Sequence, residues 1–311
     1  MTYSTPFERR SALEQSARAG LLYAVTGFAI LSVGDAVIKG MAGAYPALGV
    51  AILRFTIGAA ALSAFLYHKE GAAGFRPSNP ALQIARGVCL AAASLCFFSA
   101  IYLMPLADAM AIAFLAPILT AILSGPILGE RVRLPAWIAS SVALGGVVLV
   151  LRPNLAALGW PAILPVISAF FFAMMVVLNR KAAGQGSALS MQVFVAIIAS
   201  VILIGVAIIG RGFGIENFTF GAPSWDIVAR CAVVAVTAST AHWLAFMGTM
   251  RAGAAQVAPA TYVQMLVVTV LGWAFFDDVP DALTICGAAI IIGAGLFLWR
   301  HNIAEEAKAR A

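Results

Sequence analysis

Four ionisable side chains sit where charge is hard to accommodate. Asp35 and Lys39 lie in the first long apolar run, Arg54 in the second, and His242 far downstream among Thr237, Ser239, Thr240 and Trp243. An acid and a base at i and i+4 share one face of a helix. Such a pair could gate a pathway or touch both ends of a zwitterion. It equally suits a self-neutralising pair in which Lys39 reaches for the nearer membrane interface. The planar fork of Arg54 could grip a carboxylate, or pair with Asp35 and fasten two helices. His242 could carry a proton, donate to a small molecule, or bond across helices.

Around these charges stand softer groups. Phe97, Tyr102, Phe171, Trp243, Phe246 and Tyr262 could line an apolar pocket, or simply pack or face lipid. Gln256 and Gln264, eight residues apart on one helix face, offer amides for a bound molecule or for a neighbouring helix. Pro117, Pro165 and Pro259 fall within apolar runs. Each removes a backbone donor and predicts a kink, which could serve as a hinge or as a fixed bend shaping a cavity.

The elements that must position these residues are membrane helices. Hydrophobic residues make up 62% of the chain and charged ones only 10%, against about a quarter charged in soluble proteins. Mean hydropathy is +0.98. Apolar runs at 20–40, 46–67, 82–103, 107–128, 135–152, 161–181, 189–210, 227–249, 254–275 and 282–300 predict ten crossings of a bilayer, each needing roughly 20 apolar residues. Separate runs of this kind must be helices, because lipid offers the backbone no partners. The breaks between them carry Gly, Pro and Asp, as at Met104-Pro105, Gly129 to Pro135, Arg152-Pro153 and Asp277 to Asp281. The first run is too long for a signal-peptide core and is read as a retained helix.

Several function classes are excluded or disfavoured. The net charge of +6 comes from Lys and Arg scattered between apolar runs, with no basic, aromatic-interleaved patch for nucleic acid. Cys89, Cys96, Cys231 and Cys286 lie inside apolar runs without CxxC spacing, which predicts neither a disulfide framework nor a metal site. No HExxH spacing, nucleophile–base pair or paired-carboxylate motif supports an intramembrane enzyme. No GxxxxGK[ST] loop is present, so no nucleotide or other cofactor is expected.

Basic residues set an orientation. Arg9, Arg10, Arg18, Lys69, Arg76, Arg86, Arg131, Arg133, Arg180, Lys181, Arg251, Arg300, Lys308 and Arg310 fall on one side of the ten-span arrangement, while Lys39, Arg152, Arg211 and Arg230 are the only basic residues on the other. The positive-inside rule then places both termini in the cytoplasm. The hairpin opened by Arg86 has a weak echo in the one opened by Arg230. Each is followed by a long helix, a short acidic turn and a Gly-rich last helix. Five spans per unit is odd, so the halves cross in opposite senses. Such inverted repeats are the architecture of alternating-access carriers with a site near the midplane. The expected organisation is a polar segment 1–19, an all-α five-helix repeat 20–152, a second, inverted repeat 153–300 and a tail 301–311.

Within the first repeat stand Pro105-Leu106-Ala107-Asp108-Ala109, Pro117-Ile118, Leu128-Gly129-Glu130-Arg131, Trp137, Gly145-Gly146 and Arg152-Pro153, echoed more weakly by Ala252-Gly253-Ala254 and Gly293. This pattern resembles the EamA-type carriers of the drug/metabolite transporter superfamily, and the resemblance spans nearly the whole chain. Within that superfamily the chain most resembles the YddG branch, whose members export aromatic and other amino acids. The resemblance implies a central cavity lined by helices 3, 8 and 9, which carry Phe97, Tyr102, Trp243 and Tyr262. It implies a secondary carrier of the plasma membrane, with a small-molecule substrate, the bilayer as its other partner, no nucleic acid, and a plausible monomer. Carriage of a lipid, a nucleotide-sugar or another metabolite is the alternative. The sequence departs from the family at Phe276-Asp277-Asp278, which stands where the first half has Leu128-Gly129-Glu130.

Overall fold

The computed structural model describes residues 6–129, 134–182, 184–214, 218, 220–252 and 258–310, with side chains from Arg18 onward except at 136, 153, 154, 246, 249, 250, 252, 258, 259, 298, 302, 303 and 305–310. The Glu130-Arg131 turn and Gln256 lie outside the described residues, as do the side chains of Phe246 and Pro259.

The described chain is helical, without strands. The helices are α1 (Pro6–Lys39), α2 (Ala47–Glu70), α3 (Pro80–Leu103), α4 (Leu106–Ala113), α5 (Ala116–Leu128), α6 (Leu134–Leu158), α7 (Leu164–Lys181), α8 (Ala188–Gly212), α9 (Trp225–Ala252), α10 (Val263–Phe276) and α11 (Ala282–Arg310). Among the described residues, eight helical segments are long and apolar enough to cross a membrane, one of them the α4–α5 run Leu106–Leu128. Two apolar helices, Trp137–Arg152 and Ala260–Phe276, are shorter.

Local chemistry sets the ends. Asn79 caps α3 by accepting from the Leu82 amide at 3.1 Å, with Pro80 at the first helical position, where its missing N–H goes unused anyway. Ser187 does the same for α8, accepting from the Ser190 amide at 3.0 Å. α5 and α10 both end on a left-handed residue, Gly129 at φ 72° and Asp277 at φ 53°. The two halves thus turn with the same backbone although the residues differ, since Asp tolerates this region better than most side chains. Two expected breaks move. α6 runs through Arg152-Pro153 and stops only at Gly159, whose φ is 69°. Pro165 falls in the first turn of α7, where no intrahelical donor is needed, so it neither kinks nor hinges a helix. Pro117 does sit at a break, at the start of α5, and the sequence reading passed over Pro126 in that helix's interior.

The packing repeats itself between the halves. α1 lies along α9 as α3 lies along α7, and α1 meets α10 as α7 meets α5. α2 pairs with α8, and α6 with α11, one helix from each half. The last pair is very close. A Cβ built on Gly146 would stand 2.8 Å from the Gly287 carbonyl oxygen, and one on Gly287 would stand 2.6 Å from that of Gly146. Two backbones approach this closely only where both residues lack side chains.

Candidate functional site

On α1 the outward stripe runs through Leu22, Thr26 and Val33, all exposed. Asp35 lies roughly 160° around the helix from Val33, at 100° per residue. Its carboxylate therefore points into the bundle. Asp35, Arg54 and His242 share an unusual environment. Asp35 and Arg54 are half-buried and His242 is exposed, so each keeps solvent-accessible surface. Together they mark out a candidate polar space within the bundle.

Arg54 lies near both of the other two groups. Arg54 is the charge felt by both Asp35 and His242. Asp35 and Arg54 make no ion pair within 4 Å, and among the described residues neither forms a hydrogen bond. The expected Asp35–Arg54 fastening is therefore absent. The Arg54 guanidinium instead lies over the rings of Phe55, at 4.6 Å to the centroid, and Phe98, at 5.4 Å. Stacking leaves the guanidinium edge, and so its donors, unused. His242 likewise has no hydrogen-bond partner among the described residues.

Two further polar groups border this space. The Tyr102 hydroxyl is buried without a partner among the described residues. Cys231, fully buried in α9, places its sulfur 4.0 Å from the Met41 sulfur and 4.0 Å from the Val50 carbonyl oxygen, one turn of α2 from Arg54. Its place here was not legible in the sequence, where it reads as one small apolar residue among many. Phe98, buried beneath Arg54, is the aromatic that does most here. Phe97, one residue earlier, packs half-buried against the core. Gln264 is nearly buried in the first turn of α10, and its amide makes no hydrogen bond among the described residues.

Other expected lining residues lie elsewhere. Trp243 is 57% exposed and continues the stripe of Val233 and Val236, so it faces outward. It sits 100° around α9 from His242, too far to share its face. Phe171 packs edge-on against Phe170, centroids 5.5 Å apart, beside the outward stripe of Ile163, Ile167 and Phe170. The Tyr262 hydroxyl presses on Gly295 of α11, and its ring meets Phe114 edge-on at 5.4 Å. Tyr262 therefore serves the packing between the halves. Lys39 is not paired with Asp35. It binds Asp278 and donates to the Met104 carbonyl at 3.0 Å.

Lys39 thus ties the turn between α3 and α4 to the loop between α10 and α11, while Asp35, Arg54 and His242 have no hydrogen-bond partner among the described residues. An apolar helical bundle with a polar internal site is the form of a membrane transporter. The sequence profile of the EamA-like transporter family matches residues 18–152 and again 159–300. The chain belongs to that family, within the drug/metabolite transporter superfamily. It is 28% identical to the pseudopaline exporter CntI of Pseudomonas aeruginosa over 284 residues, covering 91% of this chain and 96% of that one. It is 24% identical to an S-adenosylmethionine uptake transporter of Rickettsia prowazekii over 283 residues, covering 90% and 92%. To a riboflavin transporter of Rhizobium johnstonii it is 25% identical over 238 residues, 76% of each chain. A solved crystal structure superposes with a TM-score of 0.58 at 18% identity, covering 91% of this chain and 96% of that one, a likeness of fold.

Proposed function

We propose that this protein is a secondary carrier of the plasma membrane that exports aromatic or other apolar amino acids, as members of the YddG branch do. In this reading ten segments cross the bilayer as two inverted five-helix repeats, 20–152 and 153–300, with the shorter apolar helices counted as the fifth and ninth crossings. Both termini are cytoplasmic, so the Lys39 end faces outward, and a monomer suffices. Transport is rocking of the halves around one central site, driven by the substrate gradient or by weakly coupled exchange.

The observation that carries the reading is the pair Asp35 and Arg54. They are an acid and a base that make no ion pair with each other, and in this reading both line the central space. An amino acid presents an ammonium to the first and a carboxylate to the second. Phe98 and the half-buried Phe97 offer apolar surface nearby. Proteoliposomes loaded with labelled phenylalanine, tryptophan or leucine should show saturable flux that Asp35→Asn or Arg54→Gln abolishes. Absence of saturable flux for every amino acid tried would remove the substrate assignment.

The relatives favour a second reading, in which the cargo is another small metabolite. Their names span pseudopaline, S-adenosylmethionine and riboflavin, and include both export and uptake. The same flux assay with such compounds separates the two readings.

A further inference from the structure

Lys39 stands where three segments meet. Its ammonium binds Asp278, in the loop between α10 and α11, and donates to Met104 in the turn between α3 and α4. The same Asp278 oxygen accepts from the Leu106 amide at 3.3 Å, at the N-terminus of α4, where a carboxylate also meets the positive end of the helix dipole. The Phe276 ring lies 5.4 Å from the ammonium. Side-chain exposures of 12% for Lys39 and 17% for Asp278 place this knot at the edge of the bundle, partly shielded from water. One turn inward on the same helix stands Asp35, whose carboxylate has no partner among the described residues.

A lysine reaches a carboxylate four residues away on its own helix without backbone movement. We propose that Lys39 is a two-position switch: it holds Asp278 while this mouth is shut, and turns to Asp35 when the loop carrying Asp278 draws away. The proposal rests on reading the internal space as the substrate site. With the mouth shut, Asp35 is free to hold a cation. With the mouth open, Lys39 supplies its own ammonium to Asp35 and displaces that cation toward the exit. One positive charge replaces another, so no uncompensated carboxylate is left inside the membrane. Asp278, released at the bundle edge, is taken up by water. Opening and release thus become one event, and a static staple has no such property.

Cys231 supplies a native reporter. It is fully buried, its sulfur lies 4.0 Å from that of Met41 near the Lys39 mouth, and it borders the Arg54 cluster. Purified full-length protein is treated with a hydrophilic maleimide, and modification of Cys231 is followed by mass spectrometry. Asp278→Asn should speed modification about tenfold by freeing Lys39 for Asp35. Asp35→Asn should slow it several-fold, because the open state loses its own partner for Lys39. Lys39→Gln empties both positions, so modification should lie between the Asp35→Asn and Asp278→Asn rates and become insensitive to added Asp35→Asn. Thermal unfolding checks each variant, and if Asp278→Asn does not fold, the excess of the Lys39→Gln rate over the Asp35→Asn rate reads the latch. A wild-type rate in Asp278→Asn, or a Lys39→Gln rate no higher than that of Asp35→Asn, overturns the latch. A wild-type rate in Asp35→Asn, or the same slowing in the Lys39→Gln background, overturns the exchange. The labelling needs no substrate, so its outcome is independent of the flux assay.

Discussion

Phe114 and Tyr262 meet edge-to-face, ring centroids 5.4 Å apart, at the two points where the fourth and ninth apolar segments lose their α-helical form. Phe114 closes α4, and the Leu115 amide bonds the Ile112 carbonyl at 3.0 Å in a tighter turn before α5 begins. Tyr262 ends the 3-10 turn Ala258–Tyr262 that precedes α10. The interruptions of the two halves therefore touch. Irregular backbone at membrane depth is tolerated where protein covers it, and here each break covers the other.

The Tyr262 anchor depends on the missing side chain of Gly295, because a Cβ there would overlap the Tyr262 hydroxyl. Gly295→Ala should lower stability by about 1–3 kcal/mol, the usual range for overpacking. Adding Tyr262→Phe removes the clashing oxygen and should recover part of the loss. Thermal unfolding in detergent of the two single variants and the double variant measures this coupling.

The α6–α11 crossing makes a second stability prediction. Gly146→Val or Gly287→Val should force the helices apart and destabilise by about 1–3 kcal/mol. Gly145→Ala is the control, since a Cβ there meets no atom within 4 Å. That variant should be neutral or slightly stabilising, by up to ~1 kcal/mol. Equal losses at positions 145 and 146 would contradict the packing.

Opposite the Lys39 mouth, Arg86 ties α3 to α7. It is buried, donates to the Asn179 carboxamide oxygen at 2.6 Å and also binds Gln83. Arg86→Met should destabilise by about 1–3 kcal/mol by leaving two polar partners unsatisfied. Substrate affinity should change little in the folded fraction. Unfolding temperature and the KM of flux, measured on one preparation, test both halves of the statement.

His242 and Trp243 are neighbours in the chain with opposite expected phenotypes. His242→Ala should raise the KM of flux several-fold, whereas Trp243→Leu should leave KM within about twofold, because the indole faces outward with Val233 and Val236. The reverse pattern would mean that α9 presents its other face to the cavity.

The sequence by itself determined the membrane class, the helical runs and many of their breaks, because these follow from local properties. Apolar length decides whether a segment enters lipid, and Pro, Gly or Asp decides where a helix can turn. Even the left-handed turn at Asp277 falls at the position matched to Gly129. Tertiary structure decided the partners. Lys39 pairs with a residue 239 positions away and leaves the neighbour one turn below it free. Tyr262 is claimed by Gly295 and Phe114, and Trp243 is turned to the outside. Periodicity shows which residues share a face of a helix. Which face meets the cavity depends on how distant segments pack, and no local property of the chain encodes that.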